Sequence, residues 1–325
     1  MHISNTPSSS PDRSISRRNA LFRIGAGISA SITTTGSFVH NLFAQPPMNP
    51  PTAAPATQES HEHGDMEELR NELWAKEEEK YQNLRALKEK SPHQVFSAEE
   101  LERAFSGEGD IVIACMDEGI ELPEGQFKVA IAGSGVLCSK EDVAAFLQKV
   151  REKFPERKIT VTYHEGCGAC AAACKPPMHP EELGKETAQE EMKQLGLEGE
   201  PARIGFDENN FVCMNRPEVL HPARAIYVDC EGTFNRTALT NIPAGFDLSA
   251  AFFPNLKELV SEVRLAINIA KGEHGMGKER FEKQKLLIAL IGNPNAKFTQ
   301  EVKEALTDVL KENKGIAEQI EFVYA

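Results

Sequence analysis

The segment from residue 159 to residue 175, ITVTYHEGCGACAAACK, decides how the rest of the chain is interpreted. Its first residues are strong β-formers, which predict a strand that ends close to His164. The alanine-rich stretch after Cys167 favours a helix. His164 and Cys167 therefore lie where a strand passes into a helix N-terminus, at which free backbone N–H groups and the positive end of the helix dipole converge. An imidazole and a thiol at such a place suggest a metal or anion site.

The composition of the chain indicates a packed soluble protein with an acidic body. The 325 residues are 40% hydrophobic and 26% charged, and the formal net charge is -13. This charge argues against nucleic-acid binding, because phosphates would be repelled, and favours a small or neutral substrate. The cysteines number seven. An odd number in a chain of this length indicates a metal or thiol site rather than a disulfide scaffold.

The N-terminal region predicts export. Arg17 and Arg18 precede a modest apolar run over residues 24–39, and Ala44 offers a small residue for cleavage. Residues 1–44 therefore resemble a twin-arginine signal segment, which implies a periplasmic or other extracytoplasmic location. The apolar run is too short and too polar for a stable membrane span. A disordered basic tail on a cytoplasmic protein is the alternative.

The next two segments are predicted to be a linker and a helical arm. Residues 45–64 are rich in Pro and Ala, and their His61-Glu62-His63 motif is interpreted as solvated rather than metal-binding. Residues 65–96 form the helical N-terminal arm, with one helix over residues 65–90 that ends at Ser91-Pro92. A second helix is predicted to begin at Ser97, where a capping box is present.

Residues 97–325 are predicted to form an α/β domain with a C-terminal extension. Short apolar runs alternate with amphipathic helices, a pattern typical of a central, mainly parallel β-sheet flanked by helices. The predicted strands are 111–114, 127–132, 159–163, 223–229, 285–291 and 320–324, and the predicted helices are 139–154, 180–195, 256–271 and 298–311. Residues 196–217 are interpreted as an extended loop, and no internal repeat is expected. Ligands of such folds gather at the carboxyl ends of the strands.

Two short motifs at predicted strand ends carry the candidate ligands. One is Cys115-x-Asp117, and the other is His164-x-x-Cys167. Two thiolates and one imidazole suit zinc, and they leave one position of a tetrahedral site open or available to a carboxylate.

These motifs resemble those of the β-class carbonic anhydrases, which carry Cys-x-Asp-x-Arg after one buried strand and His-x-x-Cys-Gly after another. The resemblance covers roughly residues 97–235 and implies a β-carbonic-anhydrase-like fold. It implies that Cys115, His164 and Cys167 bind Zn²⁺, whose bound hydroxide attacks CO2 to give bicarbonate. Asp117 would be the catalytic residue that orients this hydroxide, and the backbone of Gly168 and Ala169 would stabilise the developing anion. A homodimer is also implied, with the 65–90 helix as an arm across the partner.

One position departs from the family pattern. Gly119 stands where the family has the arginine that pairs with the aspartate. Asp117 could then become the fourth zinc ligand and close the site, which would give a non-catalytic zinc protein. Alternatively, Arg216 or Arg224 could supply the missing cation. The substrate could also be another small carbonyl or thiocarbonyl compound.

The remaining cysteines and histidines leave further alternatives. Cys167, Cys170 and Cys174 could hold an iron–sulfur cluster in an exported redox protein. Their helical spacing among alanines favours packing for Cys170 and Cys174 instead. The other three cysteines, Cys138, Cys213 and Cys230, are interpreted as buried thiols, with a Cys213–Cys230 disulfide as an alternative. His221 is interpreted as a loop residue or a proton shuttle.

Overall fold

The structure is a computed structural model that describes residues 59–311 and 314–325. The predicted signal segment and the linker up to residue 58 lie outside the described residues, as do the side chains of His61 and His63. Within the described ranges, no helix is both long enough and apolar enough to cross a bilayer.

Helices and parallel strands alternate along the described chain, as predicted. The helices are α1 (Glu59–Arg85), α2 (Ala98–Phe105), α3 (Lys140–Lys153), α4 (Gly168–Ala173), α5 (Pro180–Gln194), α6 (Leu256–Lys271), α7 (Lys278–Lys283), α8 (Lys297–Lys311) and α9 (Lys314–Ala317). The strands are β1 (Asp110–Ala114), β2 (Gln126–Ala130), β3 (Ile159–His164), β4 (Ala202–Gly205), β5 (Val212–Cys213), β6 (Ala225–Asp229), β7 (Gly245–Leu248), β8 (Leu286–Ile291) and β9 (Ile320–Tyr324).

The strands form two parallel sheets instead of the single central sheet that was expected. Sheet I has the strand order β2-β1-β3-β4-β5, and sheet II has the order β7-β6-β8-β9. Every strand pair in both sheets is parallel. The predicted α/β class with a mainly parallel sheet and flanking helices is confirmed. The prediction that residues 196–217 form only a loop is wrong, because β4 and β5 extend sheet I there.

The two sheets share one topology. In each sheet the second strand of the chain lies beside the first, and helical connections lead to the third and fourth strands on the other side. Strands β1 to β4 thus correspond in order to β6, β7, β8 and β9. The sequence shows no internal repeat, so this correspondence is one of strand order and connection alone.

The two sheets meet where β2 and β7 end. The Ser249 N–H donates to the Ala130 carbonyl over 3.1 Å, and the Ala130 N–H donates to Ser249 Oγ over 2.9 Å. Lys128 and Asp247 form a half-buried ion pair of 2.9 Å across the same junction. These contacts satisfy backbone groups that would otherwise be left unpaired at two sheet edges.

Helix α1 packs on its own chain. Tyr81, Leu84 and the following Leu87 join the hydrophobic core that covers sheet II, together with Tyr227 and Leu287. Burial of this narrow apolar stripe contributes to docking at about 25 cal/mol per Å² of apolar area, beside the ion pair between Glu78 of α1 and Arg224. The second predicted helix begins as expected, with Ser97 and Glu100 forming a reciprocal capping box.

Candidate metal centre

The carboxyl ends of β1 and β3 bring the two sequence motifs together. These strands are neighbours, with Ile113 opposite Val161. Cys115 follows β1 directly and His164 ends β3, so both side chains lie at the same edge of sheet I. Cys167 is the N-cap of α4, three residues further on. All three residues are buried, with exposed fractions of 5%, 2% and 3% in chain order.

The three side chains form a compact set of possible metal ligands. Their ligand atoms all lie within 4.8 Å of one another. The sulfur atoms of Cys115 and Cys167 are 3.9 Å apart. Two sulfurs bound at about 2.3 Å to a tetrahedral ion would be separated by about 3.8 Å. The observed spacing therefore fits such an ion.

The His164 ring provides the strongest local argument for a metal. Its Nδ1 lies 2.8 Å from the Glu165 carbonyl, to which it donates, so the lone pair resides on Nε2. Nε2 is buried, and apart from a weak contact with the Cys115 thiol it has no hydrogen-bond partner among the described residues. A buried acceptor without a partner is costly, and a second-shell bond of this kind is what orients metal-binding imidazoles. A metal ion would supply the missing partner.

The thiols need a cation to ionise. The hydrogen bond with Cys167, together with burial, raises the pKa of Cys115 well above its ordinary value. A bound metal reverses this tendency, because a coordinating thiol loses its proton. The Gly133 N–H already donates to Cys115 Sγ over 3.2 Å. Gly133 has a φ of 51°, and a Cβ there would lie 2.8 Å from Val136, so this close approach requires glycine.

Asp117 pairs with Arg216, one of the two arginines that the sequence suggested. Arg216 Nε lies 2.9 Å from Asp117 Oδ1, and Nη2 lies 3.0 Å from Oδ2. Burial would raise the pKa of Asp117, but the charges of Arg216 and His221 outweigh it and hold the pKa below its ordinary range. Asp117 does not belong to the cluster formed by Cys115, His164 and Cys167. Arg216 therefore engages both oxygens of Asp117, the carboxylate that the sequence offered as a fourth metal ligand.

Gly119 makes this arrangement possible. A Cβ at position 119 would lie 2.5 Å from Arg216 Cγ, closer than any side chain tolerates. Gly119 stands where an arginine was expected, and its lack of a side chain leaves the space through which Arg216 reaches Asp117. Arg224, the other candidate, lies elsewhere: it binds Glu78 of α1 over 2.6 Å and stacks on Tyr81.

Glu118 and His221 extend the polar cluster behind Asp117. His221 Nδ1 lies 3.1 Å from Glu118 Oε1 and 3.7 Å from Asp117 Oδ2. Burial lowers the pKa of His221, but the charges of Glu118 and Asp117 outweigh it and raise the pKa. Glu118 and Arg216 also line a cavity of about 550 Å³ that α1 helps to enclose. His221 is therefore a buried partner of a carboxylate, and Glu118 is a site residue that the sequence motif did not reveal.

The remaining predicted residues surround the centre without joining it. Gly168 and Ala169 form the first turn of α4, where backbone N–H groups have no acceptor within the helix. Cys170 is buried and outside the ligand cluster, and the Cys174 thiol donates to the Met178 carbonyl over 2.9 Å. All seven cysteines lie within the described residues and form no disulfide. Cys213 is in fact exposed, so its interpretation as a buried thiol is wrong.

Comparisons with known proteins give no match for this chain. No family model, no curated protein and no solved structure matches it. The similarity to β-class carbonic anhydrases stays a prediction from the motifs, and the functional argument depends on the residues of the site.

Proposed function

We propose that this protein is a zinc-dependent lyase that hydrates CO2 to bicarbonate, as the β-class carbonic anhydrases do. The observation that carries the proposal is the buried Cys115–His164–Cys167 cluster, with its unpartnered imidazole nitrogen. Two sulfurs and one nitrogen form a ligand set that zinc favours, and three protein ligands are typical of catalytic zinc. Zinc bound there would supply a nucleophile at neutral pH by lowering the pKa of a water molecule to about 7.

Asp117 and Arg216 would position the reacting water. The low pKa keeps Asp117 ionised, so its oxygens accept a hydrogen bond and never donate one. Arg216 holds both oxygens in a bidentate pair and thereby keeps the carboxylate from binding the metal. With Asp117 held in this way, Cys115, His164 and Cys167 would be the protein ligands of a bound metal, and the reacting molecule could bind it beside them.

Proton removal and anion stabilisation would use the neighbouring groups. The N–H groups of Gly168 and Ala169, in the first turn of α4, would donate to the developing bicarbonate. The proton would pass from the reacting water to the His221–Glu118 pair, and then to the cavity that Glu118 lines. This route would give His221 the second of the two roles that the sequence suggested, that of a proton shuttle.

A stopped-flow CO2 hydration assay on zinc-loaded protein tests the proposal. Asp117→Ala and Arg216→Ala are each expected to lower kcat by about 100-fold, with zinc content unchanged, because they remove positioning at the reacting atom. Arg224→Ala is the matched control, since it removes a buried arginine that binds α1 instead of the site. The control is expected to keep kcat near the parent value. No hydration by the zinc-replete parent between about pH 6 and pH 9 would contradict the lyase assignment.

Export and dimer formation are separate parts of the proposal. Replacing both Arg17 and Arg18 by lysine is expected to abolish export of a reporter fused to residues 1–44, because the twin-arginine route reads that pair. Sedimentation of the mature chain measures its mass in solution, which should be that of two chains if the proposed homodimer forms. A reporter that is exported equally well without the arginines would contradict the first expectation.

A further inference from the structure

A second cavity lies beside helix α5 and shares no lining residue with the metal centre. It has a volume of about 520 Å³, within the range of small-molecule sites. Its walls come from α5, from the N-terminal turn of α3 and from the segment that precedes α3. Val136, Val143 and Leu183 give these walls an apolar character, and Glu191 is also part of the lining.

Glu191 occupies a position where an apolar residue is expected. It follows Gly184 and Ala188 along the buried face of α5, at helical spacing. Its exposed fraction is 1%, and both carboxylate oxygens lack a hydrogen-bond partner among the described residues. Burial raises the pKa of this carboxyl well above its ordinary value. An acid held in this way destabilises the fold unless a ligand uses it.

A second buried acid shows how this protein satisfies such groups elsewhere. Glu262 of α6 has an exposed fraction of 0%, yet it accepts the Ala132 N–H over 2.7 Å and the Cys138 S–H over 3.7 Å. Glu262 therefore has a structural explanation in its two donors. Glu191 has no such donor among the described residues, but it lines a cavity large enough for a small molecule that carries a donor group.

We propose that this cavity binds a small primary ammonium ion that carries a short apolar chain. The ammonium would donate to Glu191, and the chain would lie against Val136, Val143 and Leu183. Glu191 alone sets the preference for a cation, because the other charged lining residues balance one another: Glu186 and Glu190 are offset by Lys140 and Lys193. One of those lysines, Lys193, already pairs with Glu190 over 3.7 Å.

Titration calorimetry of the full-length, zinc-loaded protein with hexylammonium tests the site. Hexanol and hexanoate serve as probes with the same chain and a different head group. We expect hexylammonium to bind about 10- to 100-fold more tightly than hexanol, which is the gain from a charge-assisted hydrogen bond, and hexanoate not to bind. Glu191→Gln should lower the affinity for hexylammonium by the same factor. Glu198→Gln, at an exposed position outside the cavity lining, should leave it within about 3-fold, because a solvated charge contributes little.

A third variant keeps the test decisive if Glu191→Gln folds poorly. Thr187→Phe adds a ring to the cavity wall, leaves Glu191 in place, and is expected to abolish binding of all three probes. Equal affinity for hexanol and hexylammonium, or full amine affinity in a folded Glu191→Gln protein, would overturn the proposal. Amine binding that survives Thr187→Phe would overturn the location.

Discussion

The first four strands of sheet I are arranged in the same order as the four strands of sheet II, but the carboxyl edges of the two sheets differ in their chemistry. In sheet I, Cys115 follows β1 and His164 ends β3, and a buried nitrogen is left without a partner. In sheet II, the equivalent strand β6 ends in Asp229, which accepts N–H groups from Glu231 and Gly232 and, over 3.0 Å, from Phe234. The equivalent edge of sheet II is therefore satisfied by its own loop.

The third strands differ in the same way. Strand β3 ends in His164, with Cys167 three residues later, whereas β8 ends in Ile291, with Pro294 three residues later. The side chains of Ile291 and Pro294 carry no atom that could bind a metal. The comparison teaches that the fold supplies two equivalent edges and that only the side chains make one of them a candidate site.

The largest effect that the proposed zinc site predicts is the loss of metal from sheet I. Cys115→Ser and Cys167→Ser should each lower the zinc content from about one equivalent to below about 0.1, because a thiolate ligand is lost. Mass spectrometry of the purified protein measures the metal. Cys230→Ser, next to Asp229 in sheet II, should leave the zinc content unchanged. Equal metal loss in all three variants would mean that the two edges do not differ as described.

The next effect concerns the buried charge pair. Arg216→Ala leaves Asp117 buried without its cation, which should lower the free energy of unfolding by about 3–5 kcal/mol. Denaturant unfolding measures the change. Lys185→Ala removes a solvated cation that binds exposed Glu200, and it should cost less than about 1 kcal/mol. An equal loss of unfolding free energy in both variants would show that the Asp117–Arg216 pair does not behave as a buried ion pair.

A double substitution examines why Gly119 is glycine. Gly119→Ala should lower the free energy of unfolding by about 1–3 kcal/mol, because its methyl group would overlap Arg216. In the Arg216→Ala background the same substitution should have little effect, so the two changes should be strongly non-additive. Additive effects would show that Arg216 is not the obstacle.

The sequence predicted the elements whose apolar pattern is long or continuous. Helix α6 and strand β9 have the predicted limits, and β3 differs by a single residue. Short strands were missed: β5 has two residues, and β7 contains the charged Asp247. Neither carries enough apolar periodicity to be recognised.

The site was predicted only where its residues lie in local motifs. Cys115, His164 and Cys167 stand out because each motif spans a few residues at a strand end. The pairing of Asp117 with Arg216 joins residues 99 positions apart, so the sequence could suggest the arginine but could not select it. Glu118 and Glu191 become visible only when burial is known.

A smaller effect tests the loop that satisfies sheet II. Asp229→Asn keeps the shape but removes the charge that accepts three N–H groups, and should lower the free energy of unfolding by about 1–2 kcal/mol. Zinc content should not change. Metal loss in this variant would show that the two edges depend on each other.

The smallest effect is a pH dependence from Glu262. Burial raises the pKa of this carboxyl to about 8, whereas the unfolded chain has the ordinary value near 4.5. Between these values the unfolded chain loses its proton and the folded chain keeps it, so this group makes the protein less stable as pH rises from about 4.5 to about 8. Glu262→Gln should flatten the decline of Tm over that interval. An unchanged slope would contradict the shift.

The origin of Arg216 has a consequence for the order in which the chain matures. Arg216 belongs to the segment between β5 and β6, after the last strand of sheet I. An emerging chain therefore contains all three candidate metal ligands before it has made the cation that restrains Asp117. A nascent or truncated chain that ends before residue 216 could load metal but would lack the charge partner of Asp117. The pairing of Asp117 thus requires synthesis to have passed residue 216, in the segment that links the last strand of sheet I to the first strand of sheet II.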